Sequence, residues 1–156
     1  VATSTREVLW VINATAQAFA RHAPAVIVAD IYPKSGAGTK ELLYETAANA
    51  IVNAASGAHL EGCGAADGNA PHCSGLEARL MAEAALAAHR MKMSLKEANQ
   101  FVLQLLPKYE HVFTQEGNPG KPFDEVYDTV NIRPLDFWQK MYDEVKTELK
   151  EMGLYL

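Results

Sequence analysis

The sequence has few cysteines, no long apolar run and no block of positive charge. Cys63 and Cys73 are the two thiols in 156 residues, a number typical of a reducing compartment and not of a disulfide-stapled secreted domain. Neither a signal-peptide pattern nor a run of about 18 apolar residues occurs, so we expect a cytoplasmic protein with no membrane partner. The 14 Lys and Arg are dispersed among 19 Asp and Glu, which argues against nucleic acid as a partner.

An initiator methionine is absent as well. The chain starts at Val1, and the segment from Ser4 to Glu7 already has the pattern of a helix start, so we expect a fragment of a longer polypeptide. The composition, with 49% hydrophobic and 21% charged residues, is that of a globular protein. The length allows one domain at most.

Most of the chain has the apolar periodicity of amphipathic helices. Three helix starts have a Ser three residues before a Glu, which predicts a capping box that satisfies free backbone N–H groups. The pairs are Ser4 and Glu7, Ser74 and Glu77, and Ser94 and Glu97. Another helix is predicted from about Thr39 to Ala54, ended by Gly57 in the left-handed conformation. A last helix is predicted from about Pro134 to Gly153.

Residues 25–29 form a continuous apolar run between Pro24 and Asp30. A continuous run, unlike an alternating one, predicts a parallel strand that is covered on both faces. One strand makes no sheet, so we expect its neighbours to lie outside this chain. The order of helix, buried strand and helix is the repeat of a parallel α/β fold. Segments 57–74 and 116–133 are rich in Gly, Pro, Asn and Asp and are predicted to be loops.

Asp30 and Tyr32 directly follow the predicted strand, where parallel α/β folds hold their functional groups. A carboxylate and a phenol there can bind a small ammonium ion by charge and by hydrogen bond or cation–π contact. The alternative is that Asp30 only ends the strand as a turn residue and Tyr32 packs the rim. Lys34, Gly36 and Gly38 follow, and their N–H groups at a helix start are candidates for contact with an anion or a partner. The spacing is not that of a P-loop, and a glycine-rich turn without a ligand is the alternative.

Four side chains of the types that bind zinc lie in one predicted loop: His59, Cys63, His72 and Cys73. Their spacings of four, nine and one do not match the paired ligands of a structural zinc site, so we predict no metal. Solvated histidines and a half-buried thiol are the simpler interpretation.

Similarity to a known family is carried by six segments, of which the most specific is Gly-Leu-Glu-Ala-Arg-Leu-Met at 75–81. The segments are 4–7, 30–57, 75–81, 120–123, 126–128 and 149–156. In them the sequence resembles roughly the last third of the monomethylamine methyltransferases. The resemblance implies an α/β fold that is the C-terminal part of a TIM (β/α)8 barrel, the fragment itself being mostly helical with one or two short strands. Residues 1–57 would be the last helix-strand-helix units of the barrel and residues 58–156 a C-terminal helical extension.

The resemblance also implies an activity. The family transfers a methyl group from methylammonium to the Co(I) corrinoid of a cognate corrinoid protein. It uses a pyrrolysine that belongs to an upstream part of the barrel, so no catalytic residue is expected in this chain. The corrinoid would be carried by the partner protein, and the intact enzyme is expected to be a homo-oligomer. The family's pattern has a Gln and a Tyr after the final barrel strand, and these positions are occupied here by Asp30 and Tyr32.

Two alternatives remain open from the sequence. The Asp in place of Gln is compatible with a related corrinoid-dependent methyltransferase for another methylated substrate. A stand-alone helical interaction module, or one that binds zinc, is the alternative outside the enzyme class.

Overall fold

The computed structural model of the protein describes residues 2–23, 25–114 and 118–156. Pro24, expected directly before the strand, and Glu116, expected to begin a loop, lie outside the described residues, as does Val1. Within the described ranges, no helix is both long and apolar enough to cross a membrane.

Six α-helices and four short strands make up the described part of the chain. The helices are α1 (Arg6–His22), α2 (Lys40–Ser56), α3 (Gly75–Arg90), α4 (Leu95–Tyr109), α5 (Phe123–Val126) and α6 (Asp136–Glu151). The strands are β1 (Val28–Ile31), β2 (His59–Cys63), β3 (Tyr127–Asp128) and β4 (Arg133–Pro134). Single 3₁₀ turns follow β2 at Ala66–Gly68 and follow α4 at Glu110–Phe113.

Strands β1 and β2 form a two-stranded parallel sheet in which Val28 pairs with His59 and Ile31 with Cys63. Strand β2 lies inside segment 57–74, so the prediction of a loop there is wrong for residues 59–63. In segment 116–133 the prediction of a loop is likewise wrong for residues 123–128, which form α5 and β3. The expectation that all neighbours of β1 lie outside the chain is wrong too, because β2 is one of them. The division of the chain at residue 57 stays a prediction, although the sheet continues past it.

The apolar run at β1 is not covered on both faces by this chain. Val26 is 76% exposed and Val28 is 54% exposed, whereas Ile31 at the end of β1 is fully buried. The described residues alone do not bury both faces of the strand, and its burial in a longer polypeptide stays a prediction.

Helix α2 is the centre of the fold and packs against α1, α3, α4 and α6. It is buried on nearly all sides because small Ala residues alternate with Leu, Ile and Val and let the neighbouring helices approach closely. The Thr39 side chain caps its first turn by accepting the N–H of Leu42, and Gly57 ends it with φ of +86°. The predicted start and end of this helix are thus confirmed.

Two of the three predicted capping boxes are present, at Ser74 with Glu77 and at Ser94 with Glu97. The first prediction is wrong. The N-cap of α1 is Thr5, whose side chain accepts the N–H of Val8, because Ser4 is buried and turned toward α2.

The last helix begins two residues later than predicted. Pro134 pairs with Tyr127 in the small antiparallel sheet, and α6 starts at Asp136 after the N-cap Leu135. Its end agrees with the prediction, since Gly153 with φ of +103° follows the last turn. The apolar face of α6 buries Trp138, Tyr142, Val145 and Leu149 in the common core.

Candidate functional site

The candidate site is the surface at the carboxyl end of β1, where Asp30 and Tyr32 are both exposed. They are two positions apart, Asp30 inside β1 and Tyr32 directly after it, and the register of the β1–β2 pair is irregular between Ala29 and Ile31. Each lies against a glycine of the neighbouring chain segment: Asp30 against Gly62 in β2, and Tyr32 against Gly64 directly after it. Tyr32 is 37% exposed, and its ring also borders Gly68.

The backbone of Tyr32 is held from both sides by Thr3. The Tyr32 N–H donates to Thr3 Oγ1 at 2.8 Å, and the Thr3 N–H donates to the Tyr32 carbonyl at 2.9 Å. Gly64 N–H donates to the carbonyl of Ile31 at 2.8 Å and ties the end of β1 to the segment after β2. The main chain that presents the two side chains is therefore fixed by hydrogen bonds to two other segments.

A buried carboxylate, Glu45 of α2, anchors the loop that follows Tyr32. It accepts the N–H groups of Lys34 at 2.7 Å and Ser35 at 3.0 Å, and the hydroxyl of Ser4. Burial raises the pKa of Glu45 above its ordinary value, and the hydrogen bonds from Ser4, Ser35 and Lys34 offset part of this rise. Glu45 had no signal in the sequence, because a Glu within an amphipathic helix is normally solvated.

The side chain of Lys34 forms an ion pair within the chain. Its Nζ lies 3.1 Å from Asp67 Oδ2, and this ion pair is partly exposed. The other oxygen of Asp67 is buried and has no hydrogen-bond partner among the residues that the structure describes. Asp67 was not predicted as a neighbour of Lys34, because the turn that carries it was assigned to a loop.

The glycine-rich turn after Lys34 is packed against another loop of the same chain. Gly36 N–H donates to the Asn118 carbonyl at 3.1 Å, and Ala37 N–H donates to the His72 carbonyl at 2.9 Å. A Cβ at Gly36 would lie 1.7 Å from the Pro119 carbonyl oxygen, so only Gly fits there. These contacts occupy the N–H groups of Gly36 and Ala37 and favour a structural turn. Contact of Lys34, Gly36 and Gly38 with an anion or a partner stays a prediction.

A second buried carboxylate, Glu77, lies at the start of α3. It completes the capping box with Ser74, and the Ser74 hydroxyl also accepts the indole N–H of Trp138 at 2.9 Å. Burial raises the pKa of Glu77, and hydrogen bonds from Ser74 partly oppose the rise. The prediction that Glu77 serves its helix cap is thereby confirmed.

Two of the four side chains of zinc-binding type, Cys63 and His72, have partners within the protein. Cys63 Sγ lies 3.6 Å from Thr46 Oγ1, and His72 Nδ1 lies 2.7 Å from the Pro119 carbonyl oxygen. Burial raises the pKa of the Cys63 and Cys73 thiols, so both are protonated at neutral pH. Among residues 2–23, 25–114 and 118–156, no three His, Cys, Asp or Glu side chains form a group that could hold a metal ion.

The similarity to known proteins extends over almost the whole chain. The model of the monomethylamine methyltransferase MtmB family matches residues 1–154. The chain belongs to this family. A monomethylamine methyltransferase MtmB of Methanosarcina mazei is 32% identical over 154 residues, which are 97% of this chain and 33% of that protein. MtmB2 of Methanosarcina acetivorans is 30% identical over the same shares. The chain thus spans about a third of the length of the curated relatives it matches.

The structural match is of the same extent. The crystal structure of the Methanosarcina barkeri MtmB superposes with a TM-score of 0.91 at 28% identity, over 99% of this chain and 34% of that one. A crystal structure of a hydroxylamine complex of MtmB matches with the same TM-score and coverage. The predicted fold class, a mostly helical C-terminal part of a TIM barrel, is confirmed by this agreement. Asp30 lies inside β1 and Tyr32 directly after it, and β2 follows β1 in the same sheet, whereas the resemblance implied positions after the final barrel strand; the role of both residues stays a prediction.

Proposed function

We propose that the complete polypeptide containing these residues transfers a methyl group from monomethylamine to the Co(I) corrinoid of a cognate corrinoid protein. The observation that carries this proposal is the family match over residues 1–154. Asp30 and Tyr32 support it, because an exposed carboxylate and an exposed phenol two positions apart suit a small ammonium ion. A cytoplasmic location and a homo-oligomeric assembly belong to the same proposal.

In this proposal the chain contributes one wall of the substrate site. The Asp30 carboxylate attracts methylammonium, and the Tyr32 ring orients it by a hydrogen bond or a cation–π contact. The corrinoid, carried by the partner protein, and a pyrrolysine outside this chain would supply the methyl-transfer chemistry. Lys34 is paired with Asp67 and does not compete for the carboxylate of Asp30 in the described geometry.

The exposed apolar residues in β1 and just before it support a larger barrel around this site. Val26 and Val28 would be covered by parts of the polypeptide that this chain, a third of its relatives' length, does not include. The intact mass of the protein from its native source tests this. A mass about three times the 17.0 kDa of this chain is expected. A mass of 17.0 kDa would favour the helical interaction module instead.

The activity is tested with the full-length polypeptide and its cognate corrinoid protein in the Co(I) state. Monomethylamine, dimethylamine and trimethylamine are supplied singly and in competition, and methylation is followed by the absorbance of the corrinoid. We expect turnover with monomethylamine. Turnover confined to another methylated amine would exclude the assigned substrate but keep the reaction class, and no turnover with any amine would exclude both.

The second candidate is a related corrinoid-dependent methyltransferase with another methylated substrate. Asp30 favours it, because this position carries Gln in the family pattern and the added negative charge alters the affinity for cations. The same competition experiment separates the two candidates.

A further inference from the structure

The chain segment beside β1 has no side chain at the positions that face Asp30 and Tyr32. A Cβ at Gly62 would lie 3.1 Å from Asp30 Oδ1. A Cβ at Gly64 would lie 2.7 Å from both Cδ1 and Cε1 of Tyr32. Gly62 in β2 and Gly64 directly after it therefore leave room for the Asp30 and Tyr32 side chains, respectively.

Gly68 borders the same side of the Tyr32 ring. A Cβ there would lie 3.1 Å from Cε1 and 3.2 Å from Cδ1. Gly68 has φ of +68°, so its backbone alone already favours glycine. The φ of Gly64 is outside the left-handed region, so at Gly64 the ring, and not the backbone, accounts for the missing side chain.

A methyl group at Gly64 cannot share the space of the ring. Non-bonded carbons are separated by about 3.5–4.0 Å at their optimum, well above 2.7 Å. Tyr32 is 37% exposed, so its ring can move toward solvent, whereas the N–H of Gly64 is hydrogen-bonded to the carbonyl of Ile31. We therefore expect the Tyr32 ring to rotate toward solvent and the backbone at Gly64 to keep its position.

We propose that Gly64 and Gly68 form a seat for the Tyr32 ring and that this seat positions the phenol beside Asp30 for the substrate. The hydrogen bonds from Thr3 fix the main chain of Tyr32, and the seat fixes the direction of its side chain. The inference rests on the proposed function, since it assumes that Tyr32 contacts the methylated amine. Gly64 is a positioning residue and touches no substrate itself.

The test is Gly64→Ala in the full-length polypeptide, made in the wild-type and in the Tyr32→Ala background. The KM for monomethylamine, kcat and the melting midpoint are measured for all four proteins. We expect Gly64→Ala to raise KM about tenfold, the size of one lost hydrogen bond to a charged group. In the Tyr32→Ala background the same change should alter KM by less than about twofold, because the displaced ring is gone.

Val145→Ala is the control for loss of stability alone. Val145 is fully buried in α6, so its truncation lowers the melting midpoint by leaving a cavity and should leave KM unchanged. The seat is overturned if Gly64→Ala behaves like wild type, if it acts equally with and without the Tyr32 ring, or if Val145→Ala raises KM as much.

Two further outcomes are decisive. If Gly64→Ala fails to fold, the double variant with Tyr32→Ala should fold like Tyr32→Ala alone, and its failure would overturn the seat. If the wild-type enzyme itself does not turn over monomethylamine, the proposed function fails and the positioning role fails with it. That result is seen before any variant is made, so the two failures are distinguishable.

Discussion

The hydroxyl of Ser4 donates a hydrogen bond to the carboxylate of Glu45, 41 positions further along the chain. The same carboxylate accepts the N–H groups of Lys34 and Ser35. The segment before α1, the loop after β1 and helix α2 therefore meet at one buried acidic group. Since the segment before α1 also carries Thr3, which binds the backbone of Tyr32, this junction supports the candidate site.

Replacing Glu45 by Gln should destabilise the fold. An amide has one acceptor oxygen. Its NH₂ group would face a backbone N–H that donates to a carboxylate oxygen in the wild type. Leaving a buried donor unsatisfied costs about 1–3 kcal/mol, which chemical denaturation measures. Glu41→Gln on the same helix is the matched control, since Glu41 is only partly buried and should cost less than about 1 kcal/mol. Equal losses for the two variants would contradict the anchoring role of Glu45.

The stabilising effect of Glu45 should depend on pH in a defined direction. Burial raises the native pKa of the Glu45 carboxyl above its ordinary value of 4.5, so the native state binds this proton more tightly than the unfolded chain does. The contribution is fully present below pH 4.5 and is lost as the pH rises through the native pKa. The free-energy difference between wild type and Glu45→Gln should therefore shrink as the pH rises. A difference that grows would refute this assignment, and the raised pKa of Glu77 cancels in the comparison.

The two capping boxes of the chain should differ in strength. Ser74 accepts the indole N–H of Trp138 and caps beside the buried Glu77, whereas Ser94 and Glu97 are exposed. Ser94→Ala should cost about 1 kcal/mol, the ordinary value of an N-cap. Ser74→Ala should cost about 2–3 kcal/mol, because it also leaves buried polar groups without partners. Denaturation of both variants decides this, and equal costs would mean that burial adds nothing to the cap.

The same boxes show what local sequence can and cannot predict. Ser74 and Ser94 were found from a four-residue pattern because the interactions of a cap are local. Ser4 fits the same pattern and was misassigned, since its true partner is Glu45 in another helix. Strand β2 was missed because its sequence, His-Leu-Glu-Gly-Cys, has no β-branched residue. Its extended conformation is stabilised by pairing with β1 and not by intrinsic β-propensity.

Gly36 should tolerate a side chain far less well than Gly57. A Cβ at Gly36 would meet the Pro119 carbonyl oxygen at 1.7 Å, and two backbones would have to separate. Gly57 has φ of +86° but open space around it. We expect Gly36→Ala to cost about 3 kcal/mol or more and Gly57→Ala about 1 kcal/mol, as judged by thermal or chemical denaturation. Similar costs at the two positions would show that the loop contact is loose.

Asp30→Asn in the full-length polypeptide should raise the KM for monomethylamine. An exposed ion pair contributes about 0.2–1 kcal/mol, so the expected increase is about two- to fivefold. The KM of the wild type should also rise with ionic strength, and that of the variant much less. Asp136→Asn, an exposed change on α6, is the control and should leave KM unaltered. An unaltered KM in Asp30→Asn would place the substrate away from this carboxylate.

The candidate site was only partly accessible from the sequence. Asp30 and Tyr32 could be proposed because the end of a parallel strand is a fixed place in the fold. The glycines at positions 62, 64 and 68 could not, because their role depends on the side chains that lie against them, Asp30 at Gly62 and the Tyr32 ring at the other two. Glu45 was missed for the same reason. Its burial is compensated by hydrogen bonds from three residues in two other segments of the chain, and no local sequence pattern indicates these partners.

The indole of Trp138 is fully buried, its N–H is hydrogen-bonded to Ser74, and it can serve as a fluorescence probe. The chain's other tryptophan, Trp10, is 71% exposed on α1. Iodide will quench the fluorescence of Trp10 in the native protein and leave that of Trp138 largely intact. The emission that survives quencher thus reports selectively on the junction of α3 and α6, and opening of that junction can be followed optically without any label.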